Sequence, residues 1–593
     1  MGRDESDFAA ELATVRPALS AAYAAAVPGA RAAVLGRLWR SLLHEPLPGI
    51  VTSPGHTAQH NPAPRQAHPP RHGQAPRHGQ APAEAEVVLA DGRRLCGPER
   101  RPHDLGEVPV LWLDGTPYRE PAALLAALGL PGSARLTADL ANSVASLALS
   151  RANAHPNAHP GAHAGAHPNA RVQARPGHPR VPEDHEQDVV DGHPYHPCCR
   201  NRPGVSVAEQ LAYMPEHRPV VALDLVAVPA ADCLVSGPWP DALTDGDRLL
   251  LPVHPWQSEH VLPDLGVRPY RRGAIPARPL MSVRTLAPLD GGPHLKTAFT
   301  TRMTSAVRDI SPGSIRDCVP LSDLLTELSR RAAGPRMIRY LAGAAATVKG
   351  EFSADLAVML REPTRAFAGS ADVLPLAAVT ADAGTPGAGT PGAGTPGAVA
   401  SGAGTPGAVA SGAVDDPAAW LAAFARLALP AALRLLAAGA ALEAHGQNLL
   451  VVLDGRGRPA RLAYRDLADV RLSPARLARH GVEVPPVAAR LLHDDPGVLH
   501  AKLYGSLIGT TFGGLVAGFS GGDRDVEAGL WRIVRDAARE AFDGLPCDPD
   551  VRADREALFA PYLMVKAHLL AQLDGTPPGD NWIKLPNPLF VSP

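Results

Sequence analysis

"EAHGQNLLVVLDGRGRPARLAYRDL", residues 443–467, gathers Glu443, His445, Gln447 and Asn448 into six positions, runs through two apolar segments and closes on Arg465 and Asp466. "NLLVVLD" and "ARLAYRDL" flank "GRGR", the pattern of a β-hairpin across a polar turn. Such a ribbon sets Asn448 at the base of one strand and Asp466 at the end of the other. An Asn and an Asp held together in this way resemble the Mg²⁺ grip on nucleotide phosphates in protein kinases. Glu443 and Gln447 extend the oxygen shell that Mg²⁺ prefers, and His445 can touch a phosphate. The alternative is an ordinary polar helix end leading into a hairpin, so cationic partners elsewhere in the chain decide between the two. Residues 417–442 upstream read as a helix despite Pro430, ending near the Gly446 turn.

The cations lie earlier. "MSVRTLAP" (281–288), read as a strand, points Ser282 and Arg284 to one face. "HLKTAFTTRMTSAVRDIS" (294–311) reads as a strand over 294–302 with Lys296 and Arg302 on one face. Thr304 or Ser305 would cap a short helix carrying Arg308 one turn on. Asp290 is the only acid between Arg284 and Arg308. Cations this poor in carboxylates, beside a helix N-terminus, suit a polyanion such as a triphosphate; a solvated cationic face is the bland alternative. "DGHPYHPCCRNRPG" (191–204) adds His193, His196, Arg200 and Arg202, which can converge on one anion or simply form a His-Pro turn. "HPWQ" (254–257) follows an apolar run and reads as a packing corner.

The bulk numbers bound the rest. A chain of 593 residues exceeds what one core supports. Lys plus Arg total 57 against 59 for Asp plus Glu, a net charge of -2 that offers no electrostatic grip on nucleic acid or an anionic membrane. Six scattered cysteines form no C-x-x-C and fit a reducing cytoplasm. No signal peptide or apolar run of about 18 residues is legible, so a cytoplasmic protein without membrane partners is expected. Helices are expected over 7–26 and 30–43, broken at Pro28-Gly29, and a hairpin at Asp91-Gly92. Inserts at 53–83, 154–170 (with His155, His159, His163 and His167 spaced four apart) and 383–413 are low in complexity. They divide the chain into expected domains at 1–178, 179–375 and 376–593. The glycine-rich stretch 504–522 lacks the phosphate-loop lysine and reads as close helix packing.

"GHPYHPCCRNRPG", "HPWQ", "SVRT", "KTAFTTRMTSAVRDI", "EAHGQN" and "RDL" occur here in the order seen in NRPS-independent siderophore synthetases, the aerobactin-synthetase family. The resemblance extends to "NWIKLPNPL" (581–589) and covers residues 180–593 well, 1–150 loosely. It implies an α+β, multi-domain cupped hand of thumb, fingers and palm, with a kinase-like ATP site in the palm and a helical C-terminal region. It implies ATP-dependent adenylation of a carboxylate, most often citrate, and transfer to a polyamine, hydroxylamine or amino-alcohol with release of AMP. Many such enzymes are dimers, so a homodimer is expected.

By resemblance, Ser282, Arg284 and Thr285 line the nucleotide, while Lys296, Thr304, Ser305 and Arg308 cradle the phosphates. His445, Gln447, Asn448 and Asp466 hold the phosphate–Mg²⁺ end with Glu443 close by. Lys296, Arg308, His445 and Asp466 carry catalysis; Glu443, Asn448 and Asp466 are the metal ligands. His193, His196, Arg200 and Arg202 bind the acid. Arg200 replaces the family's usual lysine, Val205 follows Gly204 where Phe or Leu is common, and Asp309 replaces a commoner threonine. A single cysteine, Cys547, in the region related to ferric-siderophore reductases predicts no iron–sulfur cluster. Other polycarboxylates, a succinyl-hydroxamate (including ring closure), a kinase-like phosphotransferase and a non-catalytic binder are the competing readings.

Overall fold

A computed structural model describes residues 3–52, 84–154, 170–171, 181–304, 306–369, 371–383, 414, 416–573 and 581–591. The three inserts, the four spaced histidines and Ser305 lie outside the described residues. In the N-terminal third, the helices Glu5–Val15, Ser20–His44 and Ser133–Ala154 pack on a five-stranded sheet. The expected hairpin is present, with Val87 opposite Leu95 and Gly92 at φ +87°. The expected break at Pro28 is not: one helix runs Ser20–His44 through it. Proline inside a helix costs about 3 kcal/mol. Fully burying Val34, Leu35, Leu38, Trp39 and Leu42 on the same helix returns roughly 1.5–3 kcal/mol per side chain, which outweighs it.

The central unit is a ten-stranded antiparallel sheet. Its middle runs Tyr340–Val348, Glu351–Arg361, His294–Thr297, Thr285–Pro288, Arg271–Pro279, Val220–Pro229 and Arg248–Val253. Register sets Lys296 opposite both Thr285 and Met359, and His294 opposite Arg361. Since side chains alternate along a strand, Thr285, His294, Lys296 and Arg361 share one face.

Two expectations fail here. The strand expected over 294–302 is two, because Phe299–Met303 leaves the large sheet and pairs with Ala306–Arg308 as a ribbon. Lys296 and Arg302 therefore do not share a face; Arg302 instead pairs with Asp139. Nor does a helix follow Thr304, which stands left-handed (φ +59°) between the ribbon strands. The helix starts at Pro312, where proline sits in its first turn and the Ser311 side chain accepts from Ser314 N.

In the C-terminal third, the helix Pro417–Ala437 continues through Pro430 and ends well short of Gly446. The opening hairpin forms as Leu449–Leu453 against Pro459–Tyr464, flanked by Val373–Pro375 and Arg336–Met337. The glycine-rich stretch packs closely: a Cβ on Gly505 would lie 2.6 Å from Met564 O, and one on Gly509 2.7 Å from a Val565 methyl. Against the expectation from apolar runs, two helical stretches, Pro17–His44 and Pro417–Ala437, are long and apolar enough to cross a membrane. Both contribute to protein cores, through Leu35, Leu38 and Leu42 in one and Leu421, Phe424 and Leu435 in the other.

Candidate active site

The hairpin and the large sheet meet at Asp466. Its Oδ1 accepts from Lys296 Nζ (2.7 Å) and from Tyr340 Oη (2.7 Å), while Lys296 also donates to Tyr340 Oη (2.9 Å). Arg361 stands 3.7 Å from the same oxygen. Burial would raise this carboxyl, but Lys296 and Arg361 hold it well below the usual aspartate range. Burial lowers the Lys296 ammonium to about 8 against the pull of Asp466. The segment before Asp466 is pinned by Arg465, which makes two bonds to Glu186 (2.6 and 2.9 Å) and donates from its backbone N to Asn448 O (3.0 Å). Asn448 and Asp466 thus sit on neighbouring strand ends, as the hairpin pattern predicts.

Backbone strain collects in the same place. Val283 (φ +67°), Thr304 (φ +59°) and Asp466 (φ +65°) are three of only seven described non-glycine residues in the left-handed region. Each costs about 1–3 kcal/mol, and the first two are β-branched, for which the conformation is rarest. All three adjoin or are candidate site residues.

The charges are unbalanced. Arg284 donates to Asp309 O and Arg308 to Met303 O (3.2 Å), and neither has a carboxylate within ion-pair distance among the described residues. Burial, then Arg284, lowers the Arg308 guanidinium to about 10. The Ser282 and Thr285 hydroxyls and His196 Nε2 are buried without a hydrogen-bond partner. Unpartnered buried donors and unpaired guanidiniums cost free energy unless a ligand satisfies them.

Three candidate imidazoles share a tautomer. His193 Nδ1 accepts from the N–H groups of Tyr195 (3.2 Å) and His196 (3.1 Å), His196 Nδ1 from Cys198 (3.0 Å), and His445 Nδ1 from Gln447 (3.3 Å). A ring nitrogen that accepts carries no proton, so each ring is neutral and offers Nε2–H as a donor. Burial and Arg308 lower His196 to about 3, which keeps it so.

Arg200 and Arg202 point elsewhere. Arg202 pairs with Glu216 (2.6 Å) and bonds Gln210 (3.2 Å). Arg200 donates to Val189 O and Val190 O and stands 3.6 Å from Glu216. Glu216 is fully buried and also accepts from Ser150 (2.7 Å). These guanidiniums are spent within the protein, not directed at the histidines. Glu443 meets Lys502 (3.3 Å) and Lys566 through Oε1, and stands 3.8 Å from His445 through Oε2.

Residues 183–381 match the IucA / IucC family, and residues 418–576 match the family described as ferric iron reductase FhuF-like transporter. The chain matches the NRPS-independent siderophore synthetase family. Among its relatives, the uncharacterized protein y4xN of Sinorhizobium fredii is 24% identical over 405 residues, 60% of this chain and 63% of that protein. Staphyloferrin A synthase of Staphylococcus aureus is 23% identical over 438 residues, 68% of this chain and 72% of that protein. The alignment with the first thus spans less than two thirds of its length. The structure of ATP-bound aerobactin synthetase IucA from a hypervirulent pathotype of Klebsiella pneumoniae matches with a TM-score of 0.66 at 17% identity. That match covers 95% of this chain and 99% of that one, so the multi-domain α+β cupped-hand fold is shared.

Within this fold, motif reading passed over Tyr340, Arg361, Glu186, Lys502, Lys566 and His568. One signal was available. The chain has only five lysines among its 57 basic residues, and Lys296, Lys502 and Lys566 are three of them. A chain that uses arginine almost everywhere else keeps a compact, strongly hydrated cation at these positions. Tyr340 and Arg361 lie on sheet strands and join the site only through register.

Proposed function

We propose that this chain is an ATP-dependent siderophore synthetase that adenylates a polycarboxylate, citrate first among them, and condenses it with an amine, hydroxylamine or alcohol. The observation that carries this reading is the pair of half-buried guanidiniums, Arg284 and Arg308, that have no carboxylate within ion-pair distance among the described residues and lie near the Lys296–Asp466 pair. ATP and citrate are both polyanions, and their reaction puts a carboxylate oxygen on the α-phosphorus while pyrophosphate leaves. Lys296 and Arg308 would neutralise the charge that builds up there, and cations already in position need no reorganisation. Ser282 and Thr285 supply donors or acceptors to the nucleotide. His193, His196 and His445 supply Nε2–H donors to carboxylate or phosphate oxygens, the share of acid binding that Arg200 and Arg202 cannot take.

The donor set also fits Mg²⁺, which takes hard oxygens. Among the described residues, Asp466 Oδ2 and the Asn448 side-chain oxygen accept no hydrogen bond, while Glu443 Oε2 stands apart from its lysine pairs. Bound there, the ion would screen the phosphates. Pyrophosphate release with hydroxylamine as nucleophile, over a panel of polycarboxylates, tests the proposal. A citrate-dependent signal lost in Asp466→Ala supports it. ADP as product would favour a kinase-like phosphotransferase, which the Asn448–Asp466 platform also suits. No turnover with any acid would sink the ligase reading and leave a kinase-like or binding site.

A further inference from the structure

A fourth imidazole, from outside every recognised motif, completes the histidine cluster. The His568 ring centre lies 4.9 Å from that of His193 and 5.4 Å from that of His196. Its segment is locked in place: the buried Glu45 carboxylate accepts from the backbone N–H groups of His568 (3.1 Å), Leu569 (2.9 Å) and Leu570 (2.8 Å). The ring itself differs from its neighbours. His193, His196 and His445 each give Nδ1 to a backbone amide, so their lone pair is taken and they can only donate. No hydrogen bond engages either His568 nitrogen among the described residues, and the side chain is only partly buried. One of its nitrogens always carries a free lone pair, because a neutral imidazole has one donor and one acceptor.

We infer that His568 is the proton acceptor for the incoming nucleophile in the second half-reaction. This rests on the proposed ligase reading. An N–C bond forms between the nucleophile's nitrogen and the acyl carbon. The acyl C–O bond to AMP breaks, and its electron pair leaves with AMP. The proton lost from nitrogen passes to the free lone pair of His568. The neighbouring Nε2–H groups of His193 and His196 are suited to the acyl oxygen, so donors and acceptor stand on one wall. Around the ring are His193, His196, Arg40 and Lys566, all cationic or neutral. Together with burial they hold it well below the usual histidine range, so the ring is neutral and a weak base, and it takes the proton only once N–C bond formation has made the nitrogen acidic.

The test separates the two half-reactions in the full-length chain. Carboxylate-dependent ATP–pyrophosphate exchange, without nucleophile, reads adenylation. Hydroxamate formation with hydroxylamine reads transfer. His568→Gln should keep exchange within about threefold of the parent while transfer falls by about 10²-fold or more, the scale of general-base catalysis. His568→Ala should recover part of its transfer rate on addition of imidazole, which a structural role would not allow. Transfer unchanged in His568→Gln, or exchange and transfer falling together without imidazole rescue, would overturn the inference and leave the ligase reading intact. An absence of exchange in the parent chain with every acid would overturn the ligase reading, and this inference with it.

Discussion

Two arginine-rich segments read alike as sequence and differ in the fold. "HPCCRNRPG" offers Arg200 and Arg202, and "SVRT…RMTSAVRD" offers Arg284, Arg302 and Arg308, all guanidiniums that could meet an anion. In the structure, Arg200 and Arg202 close on the buried Glu216 and on backbone carbonyls, whereas among the described residues Arg284 and Arg308 hydrogen-bond to backbone carbonyls, with no carboxylate at ion-pair distance, and repel one another. Glu216 follows Arg202 by 14 residues and looks like any surface acid in the sequence. A cluster of arginines therefore marks an anion site only where the fold brings no carboxylate to it. The first pair instead ties its motif to the helix Ser133–Ala154, whose Asn142 and Ser143 accept from Arg202 N (2.7 Å) and Arg200 N (3.1 Å).

The sharpest way to break this contrast is to remove one group from each side. Arg308→Ala should lower pyrophosphate release by at least about 10²-fold, the scale of losing one preorganised charge contact, with little change in melting temperature. Glu216→Gln should do the reverse. It leaves two buried guanidiniums unpaired, so stability should drop by about 3–5 kcal/mol in denaturant titration while KM for the acid changes little. A large KM effect on a stable variant would restore Arg200 and Arg202 to acid binding.

A pH profile gives a finer test. Lys296 is a base whose folded value is lowered to about 8, so the cation is present below that pH and lost above it. kcat/KM for ATP should fall as pH rises through about 8, and Lys296→Arg, which does not titrate there, should not show that limb. The smallest effect belongs to Arg200→Lys, which restores the residue common in the family. It loses the bonds to Val189 and Val190 carbonyls and should cost about 1–2 kcal/mol of stability with the choice of acid unchanged.

Much of this was legible. The hairpin at 449–464 shows in its two apolar runs and its Gly-Arg-Gly-Arg turn, and the cations from Arg284 to Arg308 show in their isolation from acids. What misled was local pattern where tertiary burial prevailed. Proline at 28 signals a helix end, yet Val34, Leu35, Leu38, Trp39 and Leu42, buried on the same helix, keep it whole. Residues 294–302 alternate well enough for one strand, yet the chain changes sheets at Ala298. Thr304 resembles a cap but serves as a left-handed turn, and strained conformations leave no reliable mark on residue type.

By itself, then, the sequence determined which side chains could do chemistry: the motifs, their order and the scarcity of lysine each follow from composition along the chain. Only the tertiary structure decided which of those side chains work together. Register across the sheet set Lys296 beside Tyr340 and Arg361, a hairpin brought Asp466 to them, and Glu216 took Arg200 and Arg202 away. His568 reached the histidines through a loop held by Glu45, 523 positions earlier in the chain. Charge pairing acts over a few ångströms of space, and separation along the chain does not report that distance.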